Sequence, residues 1–226
     1  VRRRVGVGGV LVQALVGREV VASARTDDKG NFTIKYLAAG TYRLTAKKAG
    51  YTEGSLSNIK LAEAEELSGV VIEIERGGSI EGRVVDEAGQ PISGALIYAW
   101  LHTNGRVLKT FRTASDESGR FRLDGLPQGD YRLRATAKGF LNEHRIEETT
   151  VVADQTAEVN FMLRRGAAIS GTVTDEAGNP VHKARLTLAK TDGTALFAHT
   201  AFTDKNGYFS MTGLPEGTYK LKVWHK

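Results

Sequence analysis

The chain has 226 residues, with 31 Lys plus Arg against 26 Asp plus Glu, a net charge of +5 and a pI near 9.4. It contains no cysteine, which excludes disulfides, thiolate metal sites, a thiol nucleophile and iron–sulfur clusters. With 41% hydrophobic and 25% charged residues it is globular in composition, and its basic excess is too weak to imply nucleic acid.

The first residues, Val1-Arg2-Arg3-Arg4 followed by an apolar stretch to Val16 and then Ala22-Ser23-Ala24, have the outline of an export signal with a cleavage site. Alternation at Val10 and Val12 and the turn at Thr26-Asp27 explain the same residues better, as strand and turn. From Thr26 the chain reads Thr-Asp-Asp-Lys-Gly-Asn-Phe, then Leu37, Gly40, Tyr42 and Leu44. Residues 61–67, Leu-Ala-Glu-Ala-Glu-Glu-Leu, are the nearest approach to a helix and amount to one turn at best. Val70, Ile72 and Ile74 alternate before Arg76-Gly77.

At Ile80 a new phrase begins: Ile-x-Gly82-x-Val84-x-Asp86-Glu-Ala-Gly89-Gln-Pro91. The earlier phrase then returns as Ser115-Asp116-x-x-Gly119-x-Phe121 with Leu126, Gly129, Tyr131 and Leu133. Alternating residues and turn chemistry predict seven strands here, near 79–86, 94–102, 107–114, 119–124, 130–138, 144–152 and 156–165. Both phrases come round again, from Ile169 to Pro180 and as Thr203-Asp204-x-x-Gly207-x-Phe209 with Leu214, Gly217, Tyr219 and Leu221. Asp27 to Asp116 is 89 positions and Asp116 to Asp204 is 88, with identical internal spacing. The chain is therefore three units of about 88 residues, 1–78, 79–166 and 167–226, and not the one or two domains its length suggests.

Seven short alternating strands per unit indicate an all-β, two-sheet sandwich. Aligned to unit 2, unit 1 lacks the opening Ile-x-Gly-x-Val strand and unit 3 lacks its last two strands. The first and last sandwiches are expected to be incomplete as given, with the gaps filled by more of the same chain or by a strand from another. The links Arg76-Gly77-Gly78 and Arg165-Gly166-Ala167-Ala168 are short, which predicts a stiff array.

The set Gly-x-Val-x-Asp-x-x-Gly-x-Pro, Asp-x-x-Gly-x-Phe, Leu-Pro-x-Gly-x-Tyr-x-Leu and Gly-(Tyr/Phe) resembles the carboxypeptidase regulatory-like domain over essentially the whole chain. The resemblance implies a transthyretin-like, Ig-like sandwich, related in shape to collagen-binding B-type repeats, and a non-catalytic role as stalk, spacer, adhesion module or enzyme appendage. Those B-type repeats often carry an internal Lys–Asn crosslink. The opening strands of units 2 and 3, 79–85 and 169–174, contain no Lys, so the likeness does not extend to that bond.

No catalytic constellation stands out. There is no Gly-x-Ser-x-Gly elbow, no His-Glu-x-x-His and no glycine loop preceding a helix. Asp27, Asp116 and Asp204 recur at equivalent turns, which marks turn-formers and not acid catalysts. None of these turns has the alternating oxygen spacing of a calcium loop, and His102, His144, His182, His199 and His225 form no metal pair at fixed spacing. Neither catalytic nor metal residues are expected, and no cofactor.

Unit 2 is set apart by its outward residues. Tyr98 and Trp100 alternate with inward Ala95, Ile97 and Ala99, and Arg120, Arg122, Arg132 and Arg134 alternate with inward Phe121, Leu123, Tyr131 and Leu133. If the second, fourth and fifth strands share a sheet, these six residues form one ligand-binding face, since rings stack on sugars and guanidinium forks grip carboxylates or sulfates. Unit 2 carries 12 basic and 12 acidic residues, so no basic stripe suited to nucleic acid runs through it. No apolar run is long enough to span a bilayer.

The expected function is a structural or adhesive stalk segment of a larger cell-surface, secreted or periplasmic protein or assembly. Its partners would be other domains of a longer chain or other subunits. The alternative is a carbohydrate-binding accessory module of a polysaccharide- or peptide-processing enzyme, with glycans as partners.

Overall fold

The structure, a computed structural model, describes residues 5–142, 145–191 and 199–225. His144, Lys226 and the leading Val1–Arg4 lie outside the described residues, as does the predicted start of the sixth strand of unit 2.

The described residues are all β. Unit 1 contributes β1 (Leu11–Val16), β2 (Glu19–Arg25), β3 (Gly40–Lys47) and β4 (Gly54–Leu61). Unit 2 contributes β5 (Gly78–Asp86), β6 (Leu96–Thr103), β7 (Arg106–Ala114), β8 (Arg120–Leu126), β9 (Gly129–Thr136), β10 (Glu147–Val151), β11 (Thr156–Glu158) and β12 (Phe161–Leu163). Unit 3 contributes β13 (Ala167–Thr172), β14 (Arg185–Lys190), β15 (His199–Phe202), β16 (Tyr208–Leu214) and β17 (Tyr219–Trp224). Residues 61–67 form no helix. The chain turns there through Ala64 at φ 57°, with the Glu65 side chain accepting from the Ala62 N–H.

Unit 2 is a sandwich of two sheets. One runs β10-β9-β6-β7, and the other places β8 on one edge of β5 and β11 and β12 on the other. β11 and β12 both pair with β5 in parallel and in one continuous register. They are the predicted last strand, interrupted because the Arg83 N–H donates to the Asn160 side chain and not to the backbone. Gly82 on β5 is required by this crossing, since a Cβ there would meet the Val159 carbonyl oxygen at 1.8 Å.

The core follows the alternation. Ile80, Val84, Ala95, Ile97, Ala99, Phe121, Tyr131 and Leu133 are all buried between the sheets. At 25 cal/mol per Å² or so of apolar surface, this cluster is the main source of cohesion in the unit. Unit 1 repeats the first sheet as β2-β1-β3-β4. The segments matching β8 and β12 are not strands, yet Phe32, Ile34, Ile72 and Ile74 still cover Val10, Val12 and Ala46. Unit 3 forms β15-β14-β17 and β13-β16.

The shortness of the Leu-Pro-x-Gly link suggests a hairpin-like corner between two strands. In unit 2 it instead carries the chain from β8 in one sheet to β9 in the other. A tyrosine secures each such corner. The hydroxyls of Tyr42, Tyr131 and Tyr219 donate to the carbonyls of Ala38, Pro127 and Pro215, at 2.6, 2.9 and 2.5 Å. Burial pushes the Tyr131 hydroxyl pKa up, so it stays a donor.

Candidate functional site: unit junctions and the outer face of unit 2

The recurring aspartates are turn-formers. Asp27 accepts the N–H groups of Lys29 and Asn31 at 2.9 and 2.8 Å. Asp116 accepts those of Ser118 and Arg120, and Asp204 those of Asn206 and Tyr208. At Asp27 and Asp116 these bonds favour the charged form. The Asn31 amide holds Asp27 below the usual carboxylate range, the Ser118 hydroxyl does so for Asp116, and the Asn179 amide for Asp175. Asp86 is lowered by the Gln90 N–H and then by the Arg165 guanidinium 2.9 Å away. Among the described residues no group of three or more His, Asp or Glu is placed to hold a metal. Among the described residues no helix is long and apolar enough to cross a membrane.

A second repeated device lies beside these turns. The hydroxyls of Thr26, Ser115 and Thr203 each donate to one carbonyl, Val7, Ile92 and Val181, at 2.6 to 2.7 Å. Each also accepts one N–H, from Val10, Ala95 and Ala184. A short side chain thus joins two loops in every unit.

The six residues expected on one face of unit 2 are split between two. Tyr98 and Trp100 on β6 and Arg132 and Arg134 on β9 share a sheet, with Tyr98 opposite Arg134 and Trp100 opposite Arg132. Arg120 and Arg122 are on β8, which pairs with β5 in the other sheet. The condition that the second, fourth and fifth strands share a sheet is met by the second and fifth and not by the fourth. Period-two alternation is satisfied equally well on either sheet, and the β8–β9 corner changes sheet. Arg122 is also occupied, by Glu81 and by Asp124.

The remaining four make a compact patch. The Tyr98 and Trp100 rings are 6.2 Å apart and nearly parallel, at 10°. The Arg134 guanidinium lies 5.9 Å from the Trp100 centroid, and its buried Nε has no hydrogen-bond partner among the described residues. Arg132 is paired with Glu148 at 2.8 Å.

The junctions between units repeat their backbone contacts and their Arg–ring pair. At the first, the Gly77 N–H donates to the Gly50 carbonyl at 2.9 Å, and at the second the Gly166 N–H donates to that of Gly139 at 3.0 Å. Tyr51 bridges to Arg76, whose guanidinium sits 4.6 Å from the tyrosine centroid. Phe140 bridges to Arg165, at 5.1 Å. The carbonyl oxygen after each of these rings abuts a glycine of the next unit. A Cβ on Gly125 would stand 2.3 Å from the Tyr51 oxygen, and one on Gly213 would stand 2.4 Å from that of Phe140. Both glycines have positive φ, 63° and 73°. The matching residue of unit 1 is Tyr36, fully exposed and still at φ 63°. The Gly-aromatic and Arg-Gly pairs were visible in the sequence as motif and link. Their meeting with Gly125 and Gly213 was not, since only the fold brings those segments together.

Comparison with known proteins agrees with the repeat arithmetic. The sequence profile of the carboxypeptidase regulatory-like domain matches residues 4–75, 79–164 and 168–226. No curated protein matches the chain. Among solved structures the chain is similar to a Streptococcal ancillary pilin, at 13% identity and TM-score 0.41, covering all of this chain and 85% of that one. It is similar to the Bacillus anthracis TIE protein at 19% identity and TM-score 0.35, covering all of this chain and 44% of that one. It is also similar to the shaft pilin SpaA from Lactobacillus rhamnosus GG at 15% identity and TM-score 0.36, covering 71% and 89%. With three consecutive matches that together span nearly its whole length, the chain belongs to the carboxypeptidase regulatory-like domain family.

Proposed function

We propose that this chain is a stiff, non-catalytic structural segment of a larger cell-surface, secreted or periplasmic protein or assembly. The observation that carries this reading is the carbonyl–glycine approach made twice between neighbouring units, with each link tied back to its own unit by the same hydrogen bond and Arg–ring contact. A flexible tether needs none of these. A repeated, closely packed junction sets one angle between neighbours, as a spacer or stalk requires. The carboxylates that recur are committed to turns, which leaves them ill-suited to proton transfer.

The test is the distribution of distances between spin labels on units 1 and 3. A narrow distribution that broadens in Gly125→Tyr and Gly213→Tyr is expected. A distribution already broad in the native chain would overturn the reading.

A second reading, a glycan-binding accessory module, is favoured by the paired Tyr98 and Trp100 rings beside Arg134. It requires binding on a glycan array that is lost in Trp100→Ala.

A further inference from the structure

A cleft of about 750 Å³ opens between the first and second units. That volume is within the range of ligand-binding clefts, roughly 300–1,000 Å³. The junction forms part of its lining through Tyr51 and Gly125. Its other walls are cationic: Arg25, Lys47 and Lys48 from unit 1 and Lys109 from unit 2. Two carboxylates also line it, and both are engaged. Glu53 lies 3.8 Å from Lys47, and Asp124 is paired with Arg122 at 3.0 Å. Arg25, Lys48 and Lys109 have no carboxylate partner among the described residues.

What these three do touch holds them in place. Arg25 donates to the Gly9 carbonyl at 3.3 Å, and Lys48 to that of Gly8 at 2.6 Å. The Lys48 and Lys109 ammonium groups lie 5.5 and 5.1 Å from the Tyr51 and Phe111 ring centroids. Carbonyls and ring faces orient a cation and leave its charge uncancelled. In a concave site with a net positive lining, four cations against two carboxylates, that charge is focused outward.

The second junction shows that the charges are not needed for docking. It has the same backbone latch, yet at the positions of Arg25, Lys47 and Lys48 it carries Ala114, Thr136 and Ala137. Arg25, Lys47 and Lys48 are thus not needed for docking, and the second junction carries Lys138 where the first has Ala49. Leu11, Tyr51 and Phe111 place apolar surface beside them, which suits the C–H faces of a sugar strand better than a bare inorganic polyanion.

We propose that the cleft between units 1 and 2 is a binding site for an acidic polysaccharide strand, with Arg25, Lys48 and Lys109 contacting its anionic groups. Isothermal titration of the full chain with polygalacturonate, dextran sulfate, neutral dextran and polyphosphate tests this. The first two separate carboxylate from sulfate as the recognised group. At least one of them is expected to bind at low salt and to weaken about tenfold as salt rises from about 50 to about 300 mM, with neutral dextran inert. Arg25→Gln with Lys109→Gln should weaken that binding about tenfold, whereas Lys220→Gln with Lys222→Gln, an equal charge change on exposed residues of unit 3, should leave it within about twofold. Binding of neither acidic polysaccharide, equal weakening by the unit 3 pair, or polyphosphate binding as tightly as the polysaccharides would each overturn the proposal.

Discussion

Units 2 and 3 share the phrases Ile-x-Gly-x-Val, Asp-x-x-Gly-x-Phe and Leu-Pro-x-Gly-x-Tyr-x-Leu, but they do not bury them alike. Leu133 on β9 has no exposed surface, while its counterpart Leu221 on β17 is 38% exposed. Ala135 is 6% exposed and the matching Val223 is 44%. In unit 2, β10 pairs with β9 while β11 and β12 pair with β5. Among the described residues of unit 3 nothing corresponds to these strands. Gly82 and Gly171 show the same contrast. The first lies under the Val159 carbonyl, and the second has only the Phe209 ring near it, 3.2 Å from a would-be Cβ. The motif specifies where a strand runs and which way its residues point. How deeply they are buried depends on partners contributed from elsewhere.

The sharpest way to break this comparison is Gly82→Ala against Gly171→Ala. The first should cost about 3 kcal/mol or more, because two backbones must separate, and the second under about 1 kcal/mol, because a ring can shift. Chemical denaturation measures both, and equal costs would show that the glycine serves the strand and not the crossing. Next in size is Leu133→Ala against Leu221→Ala. Emptying a sealed core position should cost about 3 kcal/mol, against under about 1 kcal/mol where the side chain is already partly in water. A smaller effect, common to both units, is acid sensitivity. Asp86, Asp116 and Asp175 have folded pKa values below their unfolded ones, so their contribution to stability is present above about pH 4 and is lost as pH falls through the lowered values. Thermal melts should therefore fall below about pH 4 and level off above it. Asp86→Asn should flatten that dependence more than Asp116→Asn, because Asp86 also loses a guanidinium hydrogen bond, from Arg165, whereas the Arg120 guanidinium acts on Asp116 through charge alone.

Much of this was legible in the residues. Identical spacings 88 and 89 apart imply three similar units, and Asp-x-x-Gly at each gives the turns their side-chain acceptor. The inward positions Ala95, Ile97 and Ala99 are buried as their alternation demands. The candidate site was legible only in part. Tyr98, Trp100, Arg132 and Arg134 share a sheet, but Arg120 and Arg122 do not join them. Alternation distinguishes inside from outside and carries no information on which of two sheets a strand joins.

The sequence by itself determined the three units, their all-β character, the turn aspartates and the inward side of each strand. These are local properties, set by side-chain spacing and by the φ that glycine permits at turns. Only the tertiary structure decided that β8 and β9 lie on opposite sheets, that Gly125 and Gly213 receive the carbonyls of Tyr51 and Phe140, and that Arg25 and Lys109 face one cleft. Each joins segments dozens of residues apart, and such pairings are chosen by the packing of whole sheets, which no window of sequence contains.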